Sequence, residues 1–407
     1  MPVYRYTLTM LSPIHIGSGS EITPYEYIIR EDPSTISNYS LIAIDINRLL
    51  SHLEESSRKT FSNFFEHDLL LPALHRRLQG FFKMHLQEGD IRWSAEASTQ
   101  LVQLYKENLN QSSQRQRQFI INPMIRTGLD CKPFIPGSSI KGAIRTAVLQ
   151  QVYDNSSLTA REKTRRIASR SDDKRANVKA EGSILGYTYI RKSRNRPQEA
   201  LEIRADPFRS IRLSDAPLTP SHATHIQQVQ ILQRQDNSSS PPTSQIGILM
   251  FYEVTRSWVE NYPTPVTATG TLTVDTKLAT HPTNRTKKWH FDHCISRLIT
   301  AEQILTACND FYLKRLKEEY NLHYRQRKQI ADVVNQLIQR AEKPDPANGE
   351  SLIRLGRFSH VECITLTAPL RRAKGGKSRS LAVLQSDNNQ LLCPLGWAVL
   401  KIEPLES

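Results

Sequence analysis

The stretch Pro133-Phe134-Ile135-Pro136-Gly137-Ser138-Ser139-Ile140-Lys141-Gly142-Ala143-Ile144-Arg145-Thr146-Ala147-Val148-Leu149 reads as an extended entry, a sharp turn and a helix. Pro133 and Pro136 fix their own φ and push the residue before each away from helical geometry. Gly137 permits the turn, and Ser138 or Ser139 can cap the helix that follows. Ile140, Ile144, Ala147 and Val148 then recur at the spacing of one buried face. Lys141 and Arg145 stand four apart on another face. Open N–H groups, two hydroxyls, a Lys and an Arg at a helix start suit an anion, phosphate above all. A nucleoside-triphosphate loop is excluded, because Ala143 and Ile144 stand where that loop needs Lys and Ser or Thr. An ordinary capped helix with two solvated cations reads the same residues equally well.

Charge favours the anion. The chain of 407 residues carries 54 Lys and Arg against 40 Asp and Glu, a net charge of +14. Such a balance points to nucleic acid or an anionic membrane surface as partner and says nothing of the fold. No apolar run approaches membrane-spanning length, and no charged-then-apolar leader opens the sequence, so no membrane partner is expected. Cys131, Cys294, Cys308, Cys363 and Cys393 are an odd set without framework spacing. They fit a reducing cytoplasm. At this length the chain forms one large or two ordinary domains, and a hydrophobic content of 38% supplies a core.

Working outward, Val3 to Leu11 alternates as a strand, with Tyr4, Tyr6, Leu8 and Met10 on one face and Arg5, Thr7 and Thr9 on the other. It runs into Ser12-Pro13-Ile14-His15-Ile16-Gly17-Ser18-Gly19, a loop whose backbone can approach a ligand, with His15 as a donor. A plain glycine turn with a surface histidine fits as well. Extended pieces follow near Tyr25–Ile29 and Leu41–Ile46. From Asn47 the chain turns polar and helical as far as about Leu109, and an inserted helical region is expected over about 47–118. Phe119–Asn122 resumes an extended form, and Arg126 and Lys132 lead into the central stretch. Residues 1–150 thus form a first unit. Asn155–Ala180, with eight basic residues against three acidic ones between Arg161 and Lys179, reads as a solvated or mobile segment within 151–200, or as an arm that orders on RNA.

Residues 201–407 are expected to form a second, β-rich part. Leu201–Ile203, Phe208–Leu213, Thr224–Leu232, Ile246–Val254 and Val266–Val274 read as strands, with a loop over Asp236–Ser244. A helical block over about 292–342 buries Ile295, Leu298, Ile299, Ile304, Leu305, Phe311, Leu313 and Leu316, and turns Lys314, Arg315, Lys317, Arg325, Arg327 and Lys328 outward. His290, His293 and Cys294 lack the second ligand cluster that a structural zinc needs, so neither metal nor cofactor is expected. Gly356, Arg357 and His360 form a late glycine-and-cation loop. Arg371, Arg372, Lys374, Lys377 and Arg379 follow as a basic hairpin tip, and a closing strand begins after Leu395-Gly396 with Trp397 in the core.

At this point the residues resemble a known family. Ser12-Pro13-Ile14-His15-Ile16-Gly17-Ser18-Gly19 after a first strand, and Phe134-Ile135-Pro136-Gly137-Ser138-Ser139-Ile140-Lys141-Gly142-Ala143-Ile144-Arg145, are similar to the opening loop and helix start of RAMP-superfamily proteins. Asp206-Pro207-Phe208-Arg209-Ser210-Ile211-Arg212-Leu213-Ser214-Asp215 and Pro394-Leu395-Gly396-Trp397 resemble the subunit that caps the crRNA 3′-end side of type III-A (Csm) CRISPR complexes. The late loop departs from the superfamily, since Arg357-Phe358-Ser359-His360 replaces further glycines.

The resemblance implies an α+β protein with an RRM-like (ferredoxin-like) core, helical insertions and a second antiparallel β plus helical region. It implies a non-catalytic crRNA-binding subunit that caps the backbone filament and helps define crRNA maturation. Its partners would be crRNA and target RNA, related RAMP backbone subunits, the small subunit and host trimming nucleases. RNA would be held by His15, Gly17, Ser18, Gly19, Arg126, Ser138, Ser139, Lys141, Arg145, Gly356, Arg357 and His360. Only Tyr4 and Tyr6 offer rings for stacking, so phosphate and 2′-OH contacts should dominate. The rival is a metal-independent RNA-processing endoribonuclease of the same superfamily, with His15 as base and Lys141 on the phosphorane. A generic tRNA- or ribosome-associated protein would explain the charge but not the four motifs.

Overall fold

The computed structural model describes residues 1–66, 71–110, 119–128, 130–169, 176–185, 189–191, 198–200, 206–233, 250–280, 298–366, 378–386 and 389–405. Helices and mainly antiparallel sheets are mixed along the chain, an α+β architecture.

The first sheet is organised around the strand Val3–Met10. Its neighbours are the closing strand Trp397–Pro404 on one side and the threonine strand Thr267–Val274 on the other, both antiparallel. Glu350–Arg354 extends the sheet beyond the closing strand. Ile211–Leu213 and Ala216–Thr219 pair with the threonine strand, and Phe134–Ile135 pairs with Ala216–Pro217. Alternation decides which face is covered. Tyr6, Leu8 and Met10 are buried, whereas Arg5 is exposed and Thr7 and Thr9 are half-buried. On the covered face lie the central helix Gly137–Asn155 and the helix Ala301–Glu319, packed against each other. Ile140, Ile144, Ala147 and Val148 are fully buried there, as their spacing predicts. Tyr6 is lost to this core, its hydroxyl donating to the Ser214 carbonyl at 2.6 Å, and Tyr4 packs half-buried against it. Neither ring is open to a base.

The second sheet runs in the order Asn389–Pro394, Ser378–Ser386, Thr224–Gln233, Ile91–Ala97, Tyr39–Ile44 and Tyr27–Glu31. Met250–Thr255 pairs with Thr224–Val229 and, in parallel, with Ile121–Asn122. Both sheets therefore mix strands from the two ends of the chain, and the expected division into residues 1–150 and 201–407 is not how the sheets are built. The region 47–118 is also more than helical. Helices Ile46–His52, Glu55–Glu66, Leu71–His85 and Thr99–Asn110 enclose the strand Ile91–Ala97, which joins the early hairpin to Thr224–Gln233. Trp93, Ala95 and Ala97 face inward between Arg92, Ser94 and Glu96, a period-2 signal hidden by small, polar residues.

Other expectations need correction. Asn155–Ala180 is not wholly solvated: Leu158–Ser169 and Ala176–Leu185 are helices that pack on each other. They bury Ala160, Thr164 and Ala180, small side chains that carry little hydropathy signal, and Ile184 and Leu185 just beyond the stretch read as solvated. In the helical block, Ile299, Ile304, Leu305, Phe311 and Leu316 are buried as expected, but Leu298 is exposed. Arg315 and Arg379, assigned to basic surfaces, are buried instead. Arg315 donates to Glu318 at 2.7 Å, and Arg379 lies 3.2 Å from Glu319 and 3.1 Å from Glu362. Phe208 sits in a short 3-10 turn before the strand at Ile211. Leu201–Ile203, Asp236–Ser244, the start of Ile246–Val254, His290, His293, Cys294, Ile295, Arg371, Arg372, Lys374 and Lys377 lie outside the described residues. Among the described residues no helix is long and apolar enough to cross a membrane, and no group of His, Cys, Asp or Glu is placed to hold a metal ion.

Candidate nucleic-acid interface

Three of the four sequence motifs meet at one place. The first strand delivers the chain to Ser12, whose Oγ accepts the Trp397 N–H at 3.0 Å, and the Pro13 carbonyl accepts the Gly396 N–H at 2.9 Å. The Gly396 carbonyl in turn accepts the Leu355 N–H at 2.8 Å, and the His15 carbonyl accepts the Arg357 N–H at 3.0 Å. Gly356 has φ +90° and lies so close to the His15 carbonyl that a Cβ there would collide with it. Its glycine character serves this loop-to-loop approach. From the joint emerge Gly17, Ser18 and Gly19, exposed to solvent, with the exposed Arg357 guanidinium 5.8 Å above the Tyr252 ring. On the other flank Gly17 bridges to Met124, the Ile125 N–H donates to the Ile16 carbonyl at 2.7 Å, and Arg126 bridges to Pro133. The first loop, residues 124–126 and the entry to the central helix are thus laid side by side. Lys132, exposed on this entry, joins the group although its sequence context gave it no role.

His15 does not reach the surface. Its Nδ1 bonds the Glu253 carbonyl at 2.7 Å, and its ring lies against Tyr252 at 4.9 Å and Phe358 at 6.1 Å. Burial first, with the Arg357 charge adding to it and the Glu253 carbonyl opposing it, pushes the imidazole down to about 4. Arg126 is likewise committed: it pairs with buried Glu253, donates to the Cys131 carbonyl at 2.8 Å and stacks over Trp93 at 4.2 Å. The Glu253 carboxylate also accepts from the Met124 N–H and the Thr224 hydroxyl, so this glutamate pins the floor beneath the loops.

The central helix start departs most from expectation. The helix begins at Gly137, capped by no side chain, and the Gly137 N–H donates to Asp215 Oδ1 at 2.8 Å. The backbone of Leu213 comes so close that a Cβ at position 137 would strike its carbonyl. An internal carboxylate thus occupies the place proposed for phosphate. Lys141 Nζ donates to the Ile211 carbonyl at 2.8 Å. Arg145 pairs with Glu181 at 2.9 Å and with Asp206 at 2.8 Å, its guanidinium 4.7 Å over the Phe208 ring. Arg145 therefore ties the helix to its neighbours and is not offered to a ligand. Ser138 remains exposed and Ser139 half-buried. His360, at φ +55°, is turned toward the Glu319–Arg354–Arg379 cluster, where burial and the Arg354 charge bring it down to about 4. It does not join the loops.

The buried His15 has a measurable consequence. The unfolded chain takes up a proton there below about pH 6.5, the folded chain only below about 4, so acid in that window favours unfolding by up to about 3 kcal/mol. Burial holds the Glu260 carboxyl up at about 7 despite Arg256, which works in the opposite sense between pH 7 and 4.5. The test is therefore a difference: between pH 6.5 and 4 the melting temperature of His15→Gln should fall less steeply than that of the parent. Parallel curves would mean that the ring is solvated.

The family model of the RAMP superfamily matches residues 7–321, well over half the chain. A search of curated proteins finds no match. Among solved structures, a chain of the Csm–crRNA–target RNA ternary complex of a type III-A CRISPR-Cas system, seen by cryo-EM, superposes with a TM-score of 0.60 at 20% identity. The match covers 98% of this chain and 100% of that one. Csm5 of T. onnurineus superposes with a TM-score of 0.59 at 20% identity, over 97% of this chain and 99% of that one. At such identity the likeness is one of fold, and the family match adds descent: the chain belongs to the RAMP superfamily.

Proposed function

We propose that this protein is a non-catalytic crRNA-binding subunit of a type III-A CRISPR interference complex, seated at the crRNA 3′-end side of the backbone filament, where it helps define the mature crRNA. The observation that carries the reading is the junction of the first loop with the Gly356–Arg357 turn. It presents glycine backbone, hydroxyls and cations, the donors that a sugar–phosphate chain accepts. The likeness to Csm chains over their whole length supports the assignment to such a complex. Related backbone subunits, the small subunit, target RNA and host trimming nucleases are its partners on this reading, and the cytoplasm its site of action. The first sheet is its RRM-like core. The order closing strand, first strand, threonine strand and Ile211–Leu213, with the central helix and Ala301–Glu319 on one face, supports that description.

RNA contacts fall to Gly17, Ser18, Gly19 and Arg357, with Lys132, Ser138 and Ser139 along the neighbouring entry. His15, Arg126 and Gly356 shape the loops from beneath. The ribonuclease reading loses its base, because His15 is walled in by Tyr252 and Phe358 with Nδ1 already bonded. The test is expression with the other subunits of the complex and recovery of bound RNA. Discrete crRNA lengths that become heterogeneous when this subunit is omitted are expected, and an unaltered length pattern would refute the capping role.

A further inference from the structure

The helix pair Glu55–Glu66 and Leu71–His85 stands apart from the RNA-facing loops, and its chemistry is different. Glu55–Glu66 carries Phe61, Phe64 and Phe65 yet buries none of its residues fully. Phe65 is 49% exposed, and Met84 on the second helix is 76% exposed. Between the two helices runs a groove of about 220 Å³, floored by Phe64 and Phe81. Gly80 opens its wall, since a Cβ there would meet nothing within 4 Å. Arg76, Arg77 and His85 line its rim, and no carboxylate among the described residues does. Both arginines are exposed, and neither has an ion-pair partner among the described residues.

We propose that this groove is a docking site for an acidic amphipathic helix of a partner protein. Charge complementarity selects the sign of the partner, since a cationic rim without a compensating acid attracts Asp and Glu and repels a basic segment. The apolar floor selects its form. Two packed helices leave a groove that a third helix fills with side chains at i, i+3/i+4 and i+7. Exposed Met84 gives the floor an adaptable side chain. A nucleic acid fits less well, because the Phe64 and Phe81 rings meet edge to face at 5.8 Å and 90° and thereby occupy each other instead of offering a platform for bases.

The test uses the full chain and a fluorescein-labelled probe helix of about 18 residues, some 27 Å long, with Leu at i, i+3, i+4 and i+7 and Glu beside them. Three controls accompany it: the same peptide with Lys for Glu, one with the Leu spacing scrambled, and an oligouridylate of similar length. Among the three peptides only the acidic one is expected to bind saturably, while the oligouridylate binds elsewhere and equally to parent and arginine variant. Arg76→Ala with Arg77→Ala should weaken it about tenfold, the effect of losing roughly 1.4 kcal/mol of interaction, and Met84→Glu should weaken it at least as much. All three positions are exposed, so the fold tolerates the changes, and crRNA binding should be unchanged in both variants. Equal binding of the Lys peptide or the scrambled peptide would overturn the proposal. So would loss of oligouridylate binding in the arginine variant, which would make the groove an RNA site.

Discussion

Glu319→Ala is expected to destabilise the fold by about 3–5 kcal/mol, because it strips the carboxylate from the buried Arg354 guanidinium and leaves the buried Arg379 with Glu362 alone. Glu319 is buried at the C-terminal end of Ala301–Glu319. It pairs with Arg354, lies 3.2 Å from Arg379 and accepts the Tyr324 hydroxyl at 2.6 Å. Burial alone would raise its carboxyl, but Arg354 and Arg379 outweigh it and hold the group down at about 2. Its contribution is therefore complete above the ordinary carboxylate range and is lost only as the pH falls toward 2. Arg354 also donates Nε to the Leu395 carbonyl at 3.1 Å and stacks 4.6 Å over Trp397. The cluster thus locks the helix, the edge strand Glu350–Arg354 and the closing strand together, two residues before the Gly356 turn. Urea unfolding should show a lower midpoint with an unchanged m-value. Replacing the cluster with apolar residues of matching shape, Glu319→Leu with Arg354→Met and Arg379→Met, should cost less than Glu319→Ala. A single variant as stable as the parent would mean that water already reaches the site.

Arg357→Ala combined with Lys132→Ala is expected to weaken crRNA binding about tenfold or more at physiological salt, with the melting temperature nearly unchanged. Both side chains are exposed, and surface changes of this kind usually move stability by less than about 0.5 kcal/mol. If each holds one phosphate of single-stranded RNA, losing both should flatten the slope of log K against log salt by about 1.4. Lys141→Ala with Arg145→Ala should behave in the reverse way. Removing Arg145 strands Glu181 and Asp206, so the fold should weaken by a few kcal/mol while the salt slope persists. Filter binding over a salt series, alongside thermal unfolding, separates the two cases. An unchanged slope for Arg357 and Lys132 would remove the two loops as the RNA-binding surface.

Periodicity made the central helix, the first strand and the threonine strand legible in the sequence. Each repeats one kind of side chain at the spacing of one element, and that spacing alone decides which face is apolar. The strand Ile91–Ala97 and the helix Leu158–Ser169 were not legible, because alanine and threonine bury small faces that leave little contrast. The convergence of the Pro13 loop, Gly356 and Gly396 was foreshadowed by glycines at turn positions, although nothing in their spacing says that they meet.

What the sequence determined by itself is the inventory: the central helix and the strongly patterned strands, where the glycines bend the chain, and how much positive charge is available. Only the tertiary structure decided how that charge is used. Arg126, Arg145, Arg315, Arg354 and Arg379 look like the exposed Arg357 in the sequence, yet packing sets carboxylates against all five of the former, from distant parts of the chain for all but Arg315, whose partner Glu318 lies one helical turn on. The reason is that a guanidinium is neutralised by whichever group folding brings within a few ångströms, most often from a distant part of the chain. An anion site therefore depends on the cations that folding leaves exposed and outside buried ion pairs, not on those that stand close together in the sequence.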